Sequence, residues 1–264
     1  MPHLLILGGT TEASGLARAV PDIVAGQPLR VTLSYAGRVA RPAAQPVPLR
    51  VGGFGGSSGL ADWLRANSVT HIVDATHPFA AQMSRNAITA AKDTQTPLMA
   101  LTRAPWQAQP GDRWTHVADM DGAVAALNTP AQRVFLAVGR LHLDRFAAQP
   151  QHHYMLRVVD APDSPLPLPH ATPIIARGPF RRADDLALMR AHDIDLVVAK
   201  NAGGTGARAK IDAARDLGLP VIMIDRPHIP HRAMATQVDQ VLGWLDHGAA
   251  DPLSDVPPAT ERGV

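Results

Sequence analysis

His3-Leu4-Leu5-Ile6-Leu7-Gly8-Gly9-Thr10-Thr11-Glu12, with Gly15 soon after, decides the fold. A short apolar run that ends in glycines and hydroxyls reads as a strand buried on both faces. It turns at once into a helix expected over Thr11–Val20, with Thr11 as N-cap. Glycines at such a turn let the backbone approach a phosphate, and the unpaired N–H groups of the helix start favour an anion. The stretch is not a G-x-G-x-x-G, so a plain strand-to-helix turn is the competing reading. Its place at the head of an alternating chain tips the balance toward nucleotide binding through Gly8, Gly9, Thr10 and Thr11.

The same alternation continues outward. Arg30–Leu33, His71–Ala75, Pro97–Leu101, Arg133–Val138, Ala171–Ala176, Leu196–Ala199 and Pro220–Ile224 read as strands. Amphipathic patterns at Gly59–Asn67, Phe79–Asp93, Asp121–Leu127, Arg182–His192, Ala207–Leu217 and Ala235–His247 read as helices. Apolar strands separated by helices predict an α/β fold with parallel sheets covered on both faces, and ligands at the strands' carboxyl ends. Thr129-Pro130 precedes a fresh strand and marks the expected lobe boundary: residues 1–130, then 131–247. The tail 248–264, rich in Pro, Asp and Gly without periodicity, is expected to be disordered.

Composition narrows the function. The 264 residues are 46% hydrophobic and 18% charged, an ordinary globular balance. The net charge of +2 is too small to point to nucleic acid or a membrane surface. There is no cysteine, which removes disulfides, thiolate metal sites and a cysteine nucleophile. The histidines show no ligand spacing, so no metal is expected. With no signal-like or spanning stretch, a cytoplasmic location is expected.

Other strand ends carry chemistry. Dinucleotide sites for NAD place a carboxylate about 20 residues beyond the glycines, to hold the ribose 2′-hydroxyl. Here the corresponding stretch, Leu33-Ser34-Tyr35-Ala36-Gly37-Arg38, has none. A hydroxyl and a guanidinium suit a 2′-phosphate instead, so Ser34 and Arg38 point to NADPH. Asp74-Ala75-Thr76-His77-Pro78-Phe79 follows a buried strand with polar groups at its mouth. Gly139-Arg140 and Arg177-Gly178-Pro179-Phe180 each set an arginine beside a glycine at a strand end. Lys200-Asn201-Ala202-Gly203-Gly204 places one of only three lysines before a glycine turn. Together these cations would make a basic edge for a substrate with many carboxylates. Gly55-Gly56-Ser57-Ser58-Gly59 matches the hydrolase pattern G-x-S-x-G, but so glycine-rich a stretch matches by chance.

These motifs, in this order and over roughly residues 3 to 245, resemble those of the precorrin-6A reductases. Ala202 departs from the serine found in many relatives. The resemblance implies two Rossmann-like lobes with the active site in the cleft between them. It implies NADPH-dependent reduction of one C=C bond of the macrocycle precorrin-6A to precorrin-6B, in cobalamin biosynthesis. Thr76, His77, Arg140, Arg177, Lys200, Asn201, Gly203 and Gly204 are then the expected substrate contacts, with Lys200 positioning a carboxylate in preference to acting as general acid. The expected partner is a polycarboxylate tetrapyrrole, with neighbouring pathway enzymes as compatible contacts and no nucleic acid or membrane. A nucleotide-sugar transferase or other two-lobed nucleotide-binding enzyme, and a solute-binding module of the same lobed architecture, are the alternatives.

Overall fold

The computed structural model describes residues 1–37, 44–158, 164–176 and 178–246. Arg38, Arg177 and the expected tail at 248–264 lie outside the described residues. The chain divides into two compact units. One comprises Met1–Arg103 together with the chain from His228 onward, the other Ala104–Pro227.

In the first unit the elements run β1 (His3–Leu7), α1 (Thr11–Ala19), a small β2–β3 hairpin (Ile23–Val24 and Gln27–Pro28), β4 (Arg30–Tyr35) and β5 (Leu49–Val51). They continue with α2 (Gly56–Ala66), β6 (His71–Asp74), α3 (Ala81–Thr94) and β7 (Leu98–Leu101). The second unit holds β8 (Arg113–Val117), α4 (Met120–Ala126), β9 (Arg133–Ala137), β10 (His153–Val158), β11 (Ala171–Ile175) and α5 (Arg182–Ala191). It ends with β12 (Leu196–Lys200), α6 (Ala209–Asp216) and β13 (Pro220–Ile224). The chain then returns to the first unit as β14 (Ala233–Ala235) and α7 (Val238–Asp246).

Each unit carries a six-stranded sheet, ordered β14-β7-β6-β1-β4-β5 and β11-β10-β9-β12-β13-β8. Every pairing in both is parallel. Counted from β1 in the first and from β9 in the second, with β14 and β8 taken last, each follows the doubly wound order 3-2-1-4-5-6. The sixth place is filled from an unexpected part of the chain in both cases. In the first unit it is β14, which arrives after the whole second unit. In the second it is β8, which precedes β9.

That arrangement moves the division from the expected 130/131 to Arg103/Ala104. The cause is the pairing of β8 with β13, from Arg113↔Pro220 to Ile224↔Val117. β8 is an edge strand, half-exposed along its length, and its Arg-Trp-Thr-His-Val sequence lacks the apolar run that marks the central strands. β14 is hidden for a different reason: it has only three residues, and the last of them, Ala235, opens the expected helix, which begins only at Val238.

β1 shows why its sheet is covered twice. Leu4 and Ile6 enter the core built with α1 and α7, including Leu16, Val241 and Leu245. Leu5 and Leu7 point the other way, to Leu60 and Leu64 of α2 and Ala87 of α3. All four are essentially unexposed. Burying each contributes on the order of 1.5–3 kcal/mol. No helix among the described residues is long and apolar enough to cross a membrane.

His3, at the amino end of β1, is buried with its Nδ1 on the Asn67 carbonyl at 2.8 Å and Nε2 on the Thr32 hydroxyl at 2.9 Å. Burial holds its pKa below the ordinary histidine value, and acts the same way on His71 and His153. The folded state therefore disfavours their protonated forms, and the stability this gives is present above about pH 6.5 and lost as pH falls through the depressed values. Denaturant titrations are expected to show a falling unfolding free energy from pH 7.5 to 5, with a shallower slope in His3→Gln. Equal slopes would contradict this role for His3.

Candidate functional site

In the first sheet the order reverses between β1 and β6, and the turns after these two strands are tied together. Thr10, not Thr11, is the N-cap of α1. Its hydroxyl accepts from the Ala13 amide at 3.1 Å and donates to the Ala75 carbonyl at 2.7 Å. Thr11 occupies the first helical position and its hydroxyl donates to Glu12. The amides of Gly9, Thr10 and Thr11 donate to no protein oxygen among the described residues. Gly9 has φ +120°, a conformation costly for other residues, with nothing within 4 Å of where a Cβ would stand. Open space and unengaged amides at a helix start are what a pyrophosphate needs. Glu12, in the first turn of α1, pairs with Arg103 at 2.8 Å. Burial pushes its carboxyl up, but its own backbone amide and Arg103 outweigh this and hold it below the ordinary value.

Asp74, at the end of β6, organises the following stretch from within. Its carboxylate accepts from the Thr76 amide at 3.1 Å, the Thr76 hydroxyl at 2.6 Å and the Ser84 hydroxyl of α3 at 2.6 Å. It also pairs with Arg232 at 3.0 Å, and its own side chain is 1% exposed. The Thr76 hydroxyl is thus engaged inside the protein. His77 accepts from the Phe79 amide through Nδ1 at 3.2 Å, which places the neutral ring's proton on Nε2. Sequence reasoning missed Arg232, because nothing local marks a partner so distant along the chain.

Ser34 lies near the carboxyl end of β4, where an NAD site would hold its acid. It is buried, and its Cα register partner is Arg50 of β5. The Ser34 hydroxyl accepts from Arg50 Nη1 at 3.2 Å, and its carbonyl accepts from the Gly8 amide at 2.8 Å. Arg38, expected beside it, lies outside the described residues. Arg50 carries no local signal as a phosphate contact, since it stands in a three-residue strand before glycines.

The second sheet reverses between β9 and β12, and again the noted motifs follow those two strands. Gly139-Arg140 comes after β9, with Arg140 exposed at the start of a short 3-10 turn. Lys200 is the last residue of β12, half-buried. The turn after it serves as a brace. The Asn201 side chain accepts from the Trp106 amide at 2.8 Å and donates to the Trp106 carbonyl at 3.0 Å, while the Trp106 indole donates to the Gly204 carbonyl at 2.6 Å. Arg226 donates to the carbonyls of Asn201 and Ala202, both at 3.0 Å. Gly203 has φ +70°, and a Cβ there would stand 2.1 Å from the Ala104 carbonyl oxygen, so only glycine fits. Asn201, Gly203 and Gly204, expected as substrate contacts, are thus occupied in holding residues at either end of the second unit. Arg140 and Lys200 lie at its switch point, and Arg177 is outside the described residues.

Comparison with known proteins gives one consistent result. A family model described as precorrin-6x reductase CbiJ/CobK matches residues 3–246. A precorrin-6A reductase of Rhodobacter capsulatus is 58% identical over 250 residues, covering 94% of this chain and 98% of that protein. One from a Sinorhizobium species is 46% identical, covering 94% of each. Among solved structures, a CobK precorrin-6A reductase superposes with a TM-score of 0.87 at 57% identity, covering 94% of this chain and 98% of that one.

Proposed function

Because the chain belongs to the precorrin-6x reductase family, we propose that it reduces one C=C bond of the macrocycle precorrin-6A with NADPH, giving precorrin-6B in cobalamin biosynthesis. The observation that carries this reading is the first unit's turn after β1, where open space meets unengaged amides at the switch point of a doubly wound sheet. The residues fit a dinucleotide. Gly8, Gly9, Thr10 and Thr11 hold the pyrophosphate, and the Ser34 end of β4, lacking a carboxylate, takes the ribose bearing a 2′-phosphate. Arg38 is assigned to that phosphate from sequence alone. When bound, the cofactor supplies hydride from its dihydronicotinamide.

The chain's own task is positional. Thr10 couples the cofactor turn to the Asp74–Phe79 stretch, so the two halves of the switch point keep their spacing. Thr76 and His77 lie on that stretch, Thr76 held by Asp74, and His77 is the group assigned to meet substrate there. In the second unit Arg140 and Lys200 take substrate carboxylates, and Asn201, Gly203 and Gly204 act by fixing the turn that carries Lys200. Orientation of this kind supplies much of the advantage in a two-substrate reaction.

A polycarboxylate held by partly exposed cations binds less tightly as salt rises, because such pairs are screened over about 8–10 Å at moderate ionic strength. Affinity for precorrin-6A is therefore expected to fall between low and moderate salt, with a smaller slope in Arg140→Ala. Salt-independent binding with Arg140→Ala silent would exclude this electrostatic role. The reaction class is tested by mixing protein, precorrin-6A and NADPH. Loss of reduced-nicotinamide absorbance that requires both the protein and the macrocycle supports it, and no loss refutes it.

A further inference from the structure

We infer that Arg50, together with Ser34, holds the cofactor's 2′-phosphate and so sets preference for NADPH over NADH; this rests on the dinucleotide reading above. The two residues stand side by side at the carboxyl ends of β4 and β5, as register partners. In a sheet of this order the end of the second strand is where the ribose 2′ position is read. The Gly8 amide bonds the Ser34 carbonyl at 2.8 Å, which ties that strand end directly to the pyrophosphate turn.

The guanidinium of Arg50 is held but not neutralised. Nη1 donates to the Ser34 hydroxyl at 3.2 Å and to the Gly52 carbonyl at 2.6 Å, and Nη2 donates to the Gly53 carbonyl at 2.8 Å. All three acceptors are neutral, and Arg50 meets no carboxylate among the described residues. The Phe54 ring lies against the group, 3.7 Å from its central carbon, so the plane is fixed. Of the five N–H donors of a guanidinium, these bonds leave the Nε–H and one Nη2–H, the number that a bidentate phosphate contact takes. Burial also lowers the pKa of this arginine, the mark of a cation partly withdrawn from water without a counter-ion. A phosphate dianion supplies that counter-ion, and the Ser34 hydroxyl beside it supplies a further donor.

A purely structural Arg50 would shape the Gly52–Gly53 turn and affect any dinucleotide alike. The deciding experiment titrates the full chain with NADPH and with NADH, following reduced-nicotinamide fluorescence, for the unmodified protein, Arg50→Gln and Arg50→Lys. Arg50→Gln is expected to weaken NADPH by about 10- to 100-fold, the range for a lost charged hydrogen bond, and to leave NADH nearly unchanged. Arg50→Lys keeps the charge without the fork and should fall between the two. It also carries the test if the glutamine variant fails to fold. Adenosine 2′,5′-bisphosphate should compete with NADPH in the unmodified protein and much less in Arg50→Gln. Equal losses for both cofactors, or an unchanged affinity for NADPH, would overturn the assignment. An unmodified protein that binds neither cofactor, or binds NADH as tightly as NADPH, would refute the cofactor reading beneath it instead.

Discussion

Asp74→Ala is expected to lower the stability of the first unit by about 3–5 kcal/mol, the cost of removing one member of a buried ion pair. Among the described residues Asp74 is the one carboxylate that Arg232 meets, at 3.0 Å, with the Arg232 side chain 12% exposed. The substitution leaves that guanidinium charged and nearly dry. It also strips acceptors from the Thr76 amide, the Thr76 hydroxyl and the Ser84 hydroxyl. Each orphaned donor adds to the cost. Because the carboxylate fixes the stretch running into His77, cofactor and substrate affinity should fall as well. Calorimetry on Asp74→Ala, Arg232→Met and the double variant makes the cause explicit. The double variant should lose much less than the sum of the singles, since no buried charge is then stranded. A loss under about 1 kcal/mol in Asp74→Ala, or strict additivity, would show that the network does not act as a unit.

Lys200→Ala is expected to weaken precorrin-6A binding by roughly 2–4 kcal/mol, about 30- to 1000-fold, while measurable turnover remains. What decides between the two roles is which form of a lysine the reaction meets. Lysine ordinarily titrates near 10.4, so service as an acid near neutral pH requires strong desolvation, and arriving carboxylates oppose the release of its proton. The brace around the turn, with Asn201 locked to Trp106 and Gly203 against Ala104, is suited to holding a fixed charge in one place. Lys200→Arg should therefore retain more affinity than Lys200→Ala, and neither should remove an acidic limb from the pH profile of kcat. If Lys200→Ala binds normally but loses turnover by about 10²–10⁴-fold, Lys200 is the proton donor and the positioning role is wrong.

The central strands were legible because burial on both faces writes itself as an uninterrupted apolar run. His3–Leu7 and Pro220–Ile224 have the expected bounds, and β4, β6, β9 and β12 differ by one or two residues. Edge strands carry no such mark. β8 is half-exposed and β14 has three residues. The interior strand β10 (His153–Val158) was not expected either, because His153 and Arg157 interrupt its apolar run, although Tyr154, Met155, Leu156 and Val158 are buried. The misplaced unit boundary follows from the first two alone, since sheet membership depends on pairings made far along the chain.

The site divides in the same way. Glycines and hydroxyls at strand ends are local signals, so the turn after β1 and the motifs at both switch points stood out. The partners that explain them did not, because Asp74 with Arg232, Ser34 with Arg50 and Asn201 with Trp106 meet only through the fold. Asn201 shows the same limit: a polar residue in a glycine turn reads alike whether it faces a substrate or a backbone, and its bonds to Trp106 are visible only in the fold. Thr10 and Thr11 illustrate a finer limit, since either hydroxyl could cap α1 and only the backbone at Thr10 is extended.

The most direct test of the reductase account is the mass of the macrocycle after incubation of the purified protein with precorrin-6A and NADPH deuterated at the transferable position of the nicotinamide ring. The account predicts a product heavier by one hydrogen and one deuterium, formed only when protein and cofactor are both present. An unchanged macrocycle, or a product that gains two hydrogens and no deuterium, would contradict it.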